Sequence, residues 1–151
     1  MNGLTGKWIT VIATALSASA TVLSGPALAA SQFPSANKDG IRLDWSADWE
    51  SAHRLENITL QLCDATPGDK SRATVQLQAY VTRGGAARIE TAPTVFQVPI
   101  GDKACMEWRR VFLTYSQDQD RLAYARAQIY TSEKPKEKFW TKWVKNPFLG
   151  G

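Results

Sequence analysis

Along the middle of the chain, apolar and polar residues alternate with a period of two. Ile58, Leu60 and Leu62 alternate with Thr59, Gln61 and Cys63, and Val75, Leu77, Ala79 and Val81 alternate with Thr74, Gln76, Gln78 and Tyr80. Successive strand side chains point to opposite faces, so each run places one row in a core and the other in a second environment. Gly84-Gly85 follows the second run. Two residues without Cβ accept the mirror-image turns that match strand twist, which predicts a hairpin returning over Ala87–Thr91.

Phe96, Val98 and Ile100 continue the alternation, with Pro99 removing a ladder donor and marking a strand end or an edge. Cys105–Tyr115 reads as a long strand with Met106, Trp108 and Phe112 on one parity. Leu122–Thr131 reads as another, with Ala123, Ala125, Ala127 and Ile129 inward. The small inward alanines call for bulk opposite them, because cores fill to near crystal density, and Trp108 and Phe112 are the expected partners. A shorter strand is expected at Ile41–Trp45. Ser46 to Asn57 carries helical spacing, with Trp49, Ala52 and His53 on one side and Ser46 as an N-cap, so one or two helical turns or a long loop are expected there.

Asp64 to Asp69, with Pro67-Gly68 at its centre, predicts a type II turn. Gly101-Asp102-Lys103 and the Ser116 to Asp120 stretch predict two more. About seven strands with turns at short intervals describe an all-β domain: a single antiparallel β-sandwich, immunoglobulin-like or similar, with a barrel as the alternative. The domain is expected over residues 41–151, preceded by a flexible lead-in arm over 30–40 that lacks apolar periodicity.

The first 29 residues have a different character. A single cation, Lys7, precedes an apolar run from Trp8 to Leu23, a break at Gly25-Pro26, and Ala27-Leu28-Ala29. Small residues at the first and third positions of that triplet fit a signal peptidase groove, which predicts cleavage between Ala29 and Ala30. The run falls short of the roughly 20 apolar residues a transmembrane helix needs. A product secreted to the periplasm or the extracellular space, with no transmembrane anchor, is therefore expected.

An oxidising destination favours joining the two cysteines, Cys63 and Cys105, in one intramolecular disulfide. That bridge would restrict the unfolded chain by roughly 4 kcal/mol on the entropic account. Removing Lys7 with the leader lowers the formal net charge from +4 to about +3. Nucleic-acid-binding domains concentrate far more basic charge on one face, so nucleic acid is not an expected partner. Asn57-Ile58-Thr59 is a glycosylation sequon, relevant if the source glycosylates.

Catalytic signals are sparse. His53 is the only histidine, and no G-x-S-x-G elbow accompanies it. Asp44, Asp48, Glu50 and Glu107 could supply the paired carboxylates of a small glycan hydrolase only if folding brought two of them together. Asp118 and Asp120 read as turn residues rather than as a calcium loop. No enzyme, cofactor or metal is expected.

Aromatic surplus is the stronger signal. Five of the six tryptophans follow the leader, and Lys138 to Phe148, KFWTKWVKNPF, combines two of them with three lysines. Read as one strand, Phe139, Thr141 and Trp143 face one way and Trp140, Lys142 and Val144 the other, leaving one indole buried and one free. Asp44-Trp45 and Asp48-Trp49 would set two indoles side by side only on a helix. Trp49, Trp140, Lys142 and Trp143 are the candidate ligand-binding residues. The expectation is a non-enzymatic binding domain whose partner is an anionic cell-wall polymer, a glycan or a lipid headgroup region. A protein-binding factor or enzyme inhibitor, using the loop Ala65–Arg72 or Thr82–Arg88 against a secreted protein, is the alternative.

Overall fold

The computed structural model describes residues 31–65, 71–99, 104–115 and 119–150. The leader expected over residues 1–29, most of the turn expected at 64–69, the turn expected at 101–103 and most of that at 116–120 lie outside the described residues.

Among the described residues ten strands follow in order: β1 (Ser31–Lys38), β2 (Ile41–Ser51), β3 (Arg54–Asp64), β4 (Ala73–Arg83), β5 (Ala86–Thr91), β6 (Phe96–Gln97), β7 (Ala104–Thr114), β8 (Arg121–Thr131), β9 (Phe139–Trp140) and β10 (Val144–Lys145). All pairings are antiparallel. One sheet runs β1-β2-β3-β7. The other runs β10-β8-β4-β5, with β6 extending the β5 edge along β4 and β9 extending the β10 edge along β8. The two sheets enclose one apolar core, and partial curling gives the sandwich a half-barrel character.

The sheets are joined at one corner, where Leu122 N–H at the start of β8 donates to Ala52 O in the β2–β3 turn at 2.8 Å. Tyr115 N–H donates to His53 O at 3.0 Å and so extends the β7–β3 pairing onto the same turn. Together the two bonds fix the β2–β3 turn and help explain why Ser46 to Asn57 is not helical. The segment is instead a two-residue hairpin, Ser51 pairing with Arg54. Trp45 and Ala47 point into the core, and Trp49 packs partly buried against it.

Residues 31–38, expected as a lead-in arm, form β1 along the edge of the first sheet. Pro34 is tolerated there because an edge strand needs no inward donor. Its carbonyl accepts the Trp45 indole N–H at 3.2 Å, and the register shifts between Phe33 and Ala36 around it.

Two bulges revise the inward rows. Asn57 (φ 49°) and Arg110 (φ 58°) sit in the left-handed region on the neighbouring strands β3 and β7, where the register slips by one residue and then recovers. Past Arg110 the inward parity of β7 changes, so Val111 and Leu113 are buried while Phe112 lies under the Arg54 guanidinium at 5.2 Å. Trp108 and Phe112 therefore do not share the task of filling space over the alanines. Trp108 packs against Phe96 at 5.4 Å, and leucines 43, 55, 60, 62 and 113 supply buried bulk. A further shift, between Tyr80 and Val81, brings Leu122 into the core, with Ala125, Ala127 and Ile129 inward as expected.

Cys63 and Cys105 are bonded. They stand opposite each other on β3 and β7 with Cα atoms 4.1 Å apart, so the bridge crosses one sheet between neighbouring strands.

Candidate functional site

The outward row of β4, Thr74, Gln76, Gln78 and Tyr80, lies beside the outward row of β8, Tyr130, Gln128, Arg126 and Tyr124. Flanking strands widen these pairs into four rows across the sheet: Ile89–Tyr80–Tyr124–Lys145, Thr91–Gln78–Arg126, Gln76–Gln128–Trp140, and Gln97–Thr74–Tyr130. No aspartate or glutamate occupies any of these positions.

The glutamines form a directed ladder. Arg126 Nε–H donates to Gln78 Oε1 at 2.8 Å, and Gln78 Nε2 donates to Gln128 Oε1 at 3.0 Å and to Thr91 Oγ1 at 3.0 Å. Gln128 Nε2 in turn donates to Gln76 Oε1 at 3.1 Å, which also accepts the Tyr130 hydroxyl at 3.1 Å, and Gln76 Nε2 ends the chain on Ala92 O at 3.1 Å. Hydrogen bonds in such a chain polarise one another and fix every member's orientation. The face is therefore preorganised.

Aromatic rings close the ladder at the β9–β10 edge. The edge is not one strand from Phe139 to Val144. It breaks at Thr141, which is buried, donates its backbone N–H to Ala127 O at 3.0 Å and accepts the Ala127 N–H on its own hydroxyl at 3.0 Å. Trp140 pairs opposite Gln128 while Lys145 pairs opposite Tyr124, a register offset of one residue that undoes the simple alternation. Val144 consequently packs on the core, and Trp143 joins Trp140 around Arg126. The guanidinium carbon lies 4.1 Å from the Trp143 ring centroid and 5.2 Å from that of Trp140.

Burial lowers the Arg126 pKa, although a guanidinium remains charged throughout the physiological range. Burial likewise raises the Tyr130 pKa, and its ring carries Lys138 Nζ 5.4 Å from the centroid. Trp140 is 45% exposed. Beside it, Tyr80, Tyr124 and Trp143 line an almost wholly apolar hollow of about 160 Å³, with edge-on ring contacts at 5.7 Å (Tyr80–Tyr124) and 6.3 Å (Tyr80–Trp143).

Of the residues singled out in the sequence, the structure thus brings Trp140 and Trp143 together, with Lys142 exposed between them. Trp49 lies in the other sheet, 6.4 Å from the Phe33 ring. Arg126, Tyr80, Tyr124 and the glutamines were not anticipated. The available signal was the makeup of two outward rows, which hold amides and aromatics where solvent faces ordinarily carry lysine and glutamate.

Elsewhere, charges are matched locally. Asp44 and Glu107 line one shallow hollow of about 140 Å³ on the outer face of the first sheet, but Asp44 pairs with Arg42 at 2.7 Å and Glu107 pairs with Arg109. Asp48 accepts from Asn57 at 3.1 Å, and Glu50 pairs with Arg54 at 2.9 Å. Another hollow, of about 220 Å³, includes Lys38, Asp39, Asp64, Glu133, Lys134 and Glu137, and so mixes both signs.

Asp120 is fully buried at the inter-sheet corner. It accepts from Arg88 Nη2 at 3.0 Å, while Arg88 also pairs with Glu90, and Glu90 accepts the Tyr115 hydroxyl. The two carboxylates hold the Arg88 pKa well above its ordinary value. His53 Nδ1 bonds the Asp120 carbonyl, which ties the β2–β3 turn into the same cluster. The segment Thr82–Arg88 contains the tight Gly84-Gly85 reversal, both glycines at positive φ, with Arg83 pairing to Ala86. Among the described residues, no three His, Cys, Asp or Glu side chains converge as metal ligands do, and no helix is long and apolar enough to cross a membrane.

No protein-family model, characterised protein or solved structure matches this chain.

Proposed function

We propose that the chain is an exported, non-enzymatic binding module that meets a ligand of the cell envelope or its surroundings on the outer face of the second sheet. The observation that carries this reading is the gathering of Trp140 and Trp143 around Arg126, at the end of a fixed amide ladder, with Trp140 left 45% exposed. Keeping a large ring in solvent forgoes the burial energy that such a ring otherwise contributes, and tryptophan and arginine are enriched where surfaces carry binding energy. A rigid face also loses little side-chain entropy on binding.

Ring faces suit the C–H faces of sugars, while the buried carboxamides of Gln78 and Gln128 hold the face in shape beneath them. Export is supported by the leader pattern ahead of Ala30 and by a formed disulfide, which persists in oxidising compartments. The test is a pull-down on insoluble cell-wall polysaccharide, comparing the wild type with a Trp140→Ala, Trp143→Ala double variant that retains its far-ultraviolet circular dichroism and a cooperative melt. Retention of the wild type and loss of the variant is expected. Equal recovery of the two removes these rings from the site.

A further inference from the structure

Most guanidinium groups of this protein that approach a carboxylate do so on the first sheet or at the corner. Arg42, Arg54, Arg88 and Arg109 each have a carboxylate partner. Arg126 is different. Among the described residues it forms no ion pair, although it is half-buried between two indoles. A cation withdrawn from water without a counter-ion is costly, and a ligand anion would offset that cost.

The surroundings have the same sign. Lys145 ends one row of the face, Lys138 sits over Tyr130 in another, and exposed Lys142 adjoins Trp143. No acid among the row positions opposes them. Lines of one charge sign draw and orient a ligand of the other.

Geometry narrows the anion. Arg126 Nε is committed to Gln78, which leaves the two terminal nitrogens as the donating edge. A carboxylate meets that edge with two parallel bonds in the guanidinium plane. It thereby fits beside rings that lie against the guanidinium, whereas a tetrahedral sulfate or phosphate projects oxygens out of the plane toward those rings. Trp140 offers its exposed face next to the cation, and the Tyr80–Tyr124–Trp143 hollow accepts an adjoining apolar sugar face.

We propose that the ligand of this face is a glycan bearing carboxylate groups, a polyuronate-type chain, with Arg126 receiving the carboxylate and Trp140 stacking on a sugar ring. This deepens the binding reading above and rests on it.

The probes are polygalacturonate, its fully methyl-esterified form and dextran sulfate, titrated calorimetrically against the full chain at fixed ionic strength. The expected result is binding of polygalacturonate about tenfold or more tighter than of the ester, the difference one charge-assisted bidentate contact supplies. Arg126→Lys should lose most of that discrimination while the variant keeps its strand circular dichroism and a cooperative melt. Trp140→Ala should weaken both acid and ester. Equal affinity for acid and ester overturns the carboxylate assignment. If Trp140→Ala still weakens both polymers in that case, the binding face stands and only the ligand class falls. Tighter binding of dextran sulfate than of polygalacturonate also overturns the assignment. Absence of binding to all three overturns it as well, leaving the face to the cell-wall pull-down.

Discussion

The side chain of Asn146 is fully buried and holds the C-terminal edge in place. Its amide nitrogen donates to Ser51 O and Leu122 O, both at 2.9 Å, and its carbonyl accepts the Phe148 N–H at 2.9 Å. Within KFWTKWVKNPF, then, the polar Asn146 and Thr141 anchor the segment and Trp140 remains outside. Asn146→Ala removes the side-chain donor from the buried contact with Leu122 O and from the part-buried one with Ser51 O, so a loss of roughly 2–4 kcal/mol is expected in urea unfolding. A loss under about 0.5 kcal/mol would show that water replaces the amide.

Tyr115 gives a pH signature at the same scale. Burial, reinforced by its hydrogen bond to Glu90, raises its pKa well above the ordinary 10.0. Its folded state therefore keeps the proton while the unfolded chain releases it. Stability from this group is complete below pH 10 and falls as pH rises beyond it, by up to about 1.4 kcal/mol per pH unit. Tyr115→Phe should flatten that fall in thermal melts between pH 9.5 and 11.5 on the tyrosine scale. An unchanged slope would mean that other groups drive alkaline unfolding.

At the level of strands and turns, the alternating runs of β3, β4 and β8 were legible because one face of each is buried and the other is not. The β2 segment was misread for a reason visible in its residues. Trp45 and Trp49 stand four apart, a spacing that satisfies a period of two as well as one of 3.6. The tertiary bonds from Tyr115 and Leu122 onto the β2–β3 turn favour the strand, and no local pattern encodes them. Bulges were equally hidden, since neither Asn57 nor Arg110 announces a left-handed backbone in a strand.

Gly84 and Gly85 were readable because a mirror-image turn has few other solutions. Both have positive φ, and a Cβ added at either would meet no atom within 4 Å, so substitution there tests backbone strain alone. Gly84→Ala should cost about 1–2 kcal/mol. Arg110→Gly should act in the opposite direction, relieving left-handed strain for a gain of about 0.5–1 kcal/mol. Denaturant midpoints at constant m-value check both, and a loss of stability in Arg110→Gly would show that its side chain contributes more than its backbone costs.

On the scale of the whole molecule, the sandwich has two unlike outer faces. The first sheet presents locally neutralised ion pairs and the disulfide. The second presents amides, rings and cations lacking acids among them. The sequence allowed the fold class and the disulfide to be inferred, along with the aromatic surplus of the C-terminal stretch. It did not reveal the platform itself, because Arg126 and the two tryptophans meet only through the offset edge at Thr141.

The bridge closes a separation of 42 residues between strands that the sheet already pairs. A Cys63→Ser, Cys105→Ser double variant should therefore keep its strand circular dichroism while losing about 2–4 kcal/mol. Loss of the fold would make the bridge a precondition rather than a reinforcement.

The difference between the two faces is tested most directly by the indole N–H resonances in a ¹⁵N–¹H spectrum as galacturonate oligomers are added. The account predicts that the Trp140 and Trp143 signals shift in a saturable way while those of Trp45 and Trp49, on the other sheet, stay in place. Movement of Trp45 or Trp49 with Trp140 and Trp143 unchanged would contradict it.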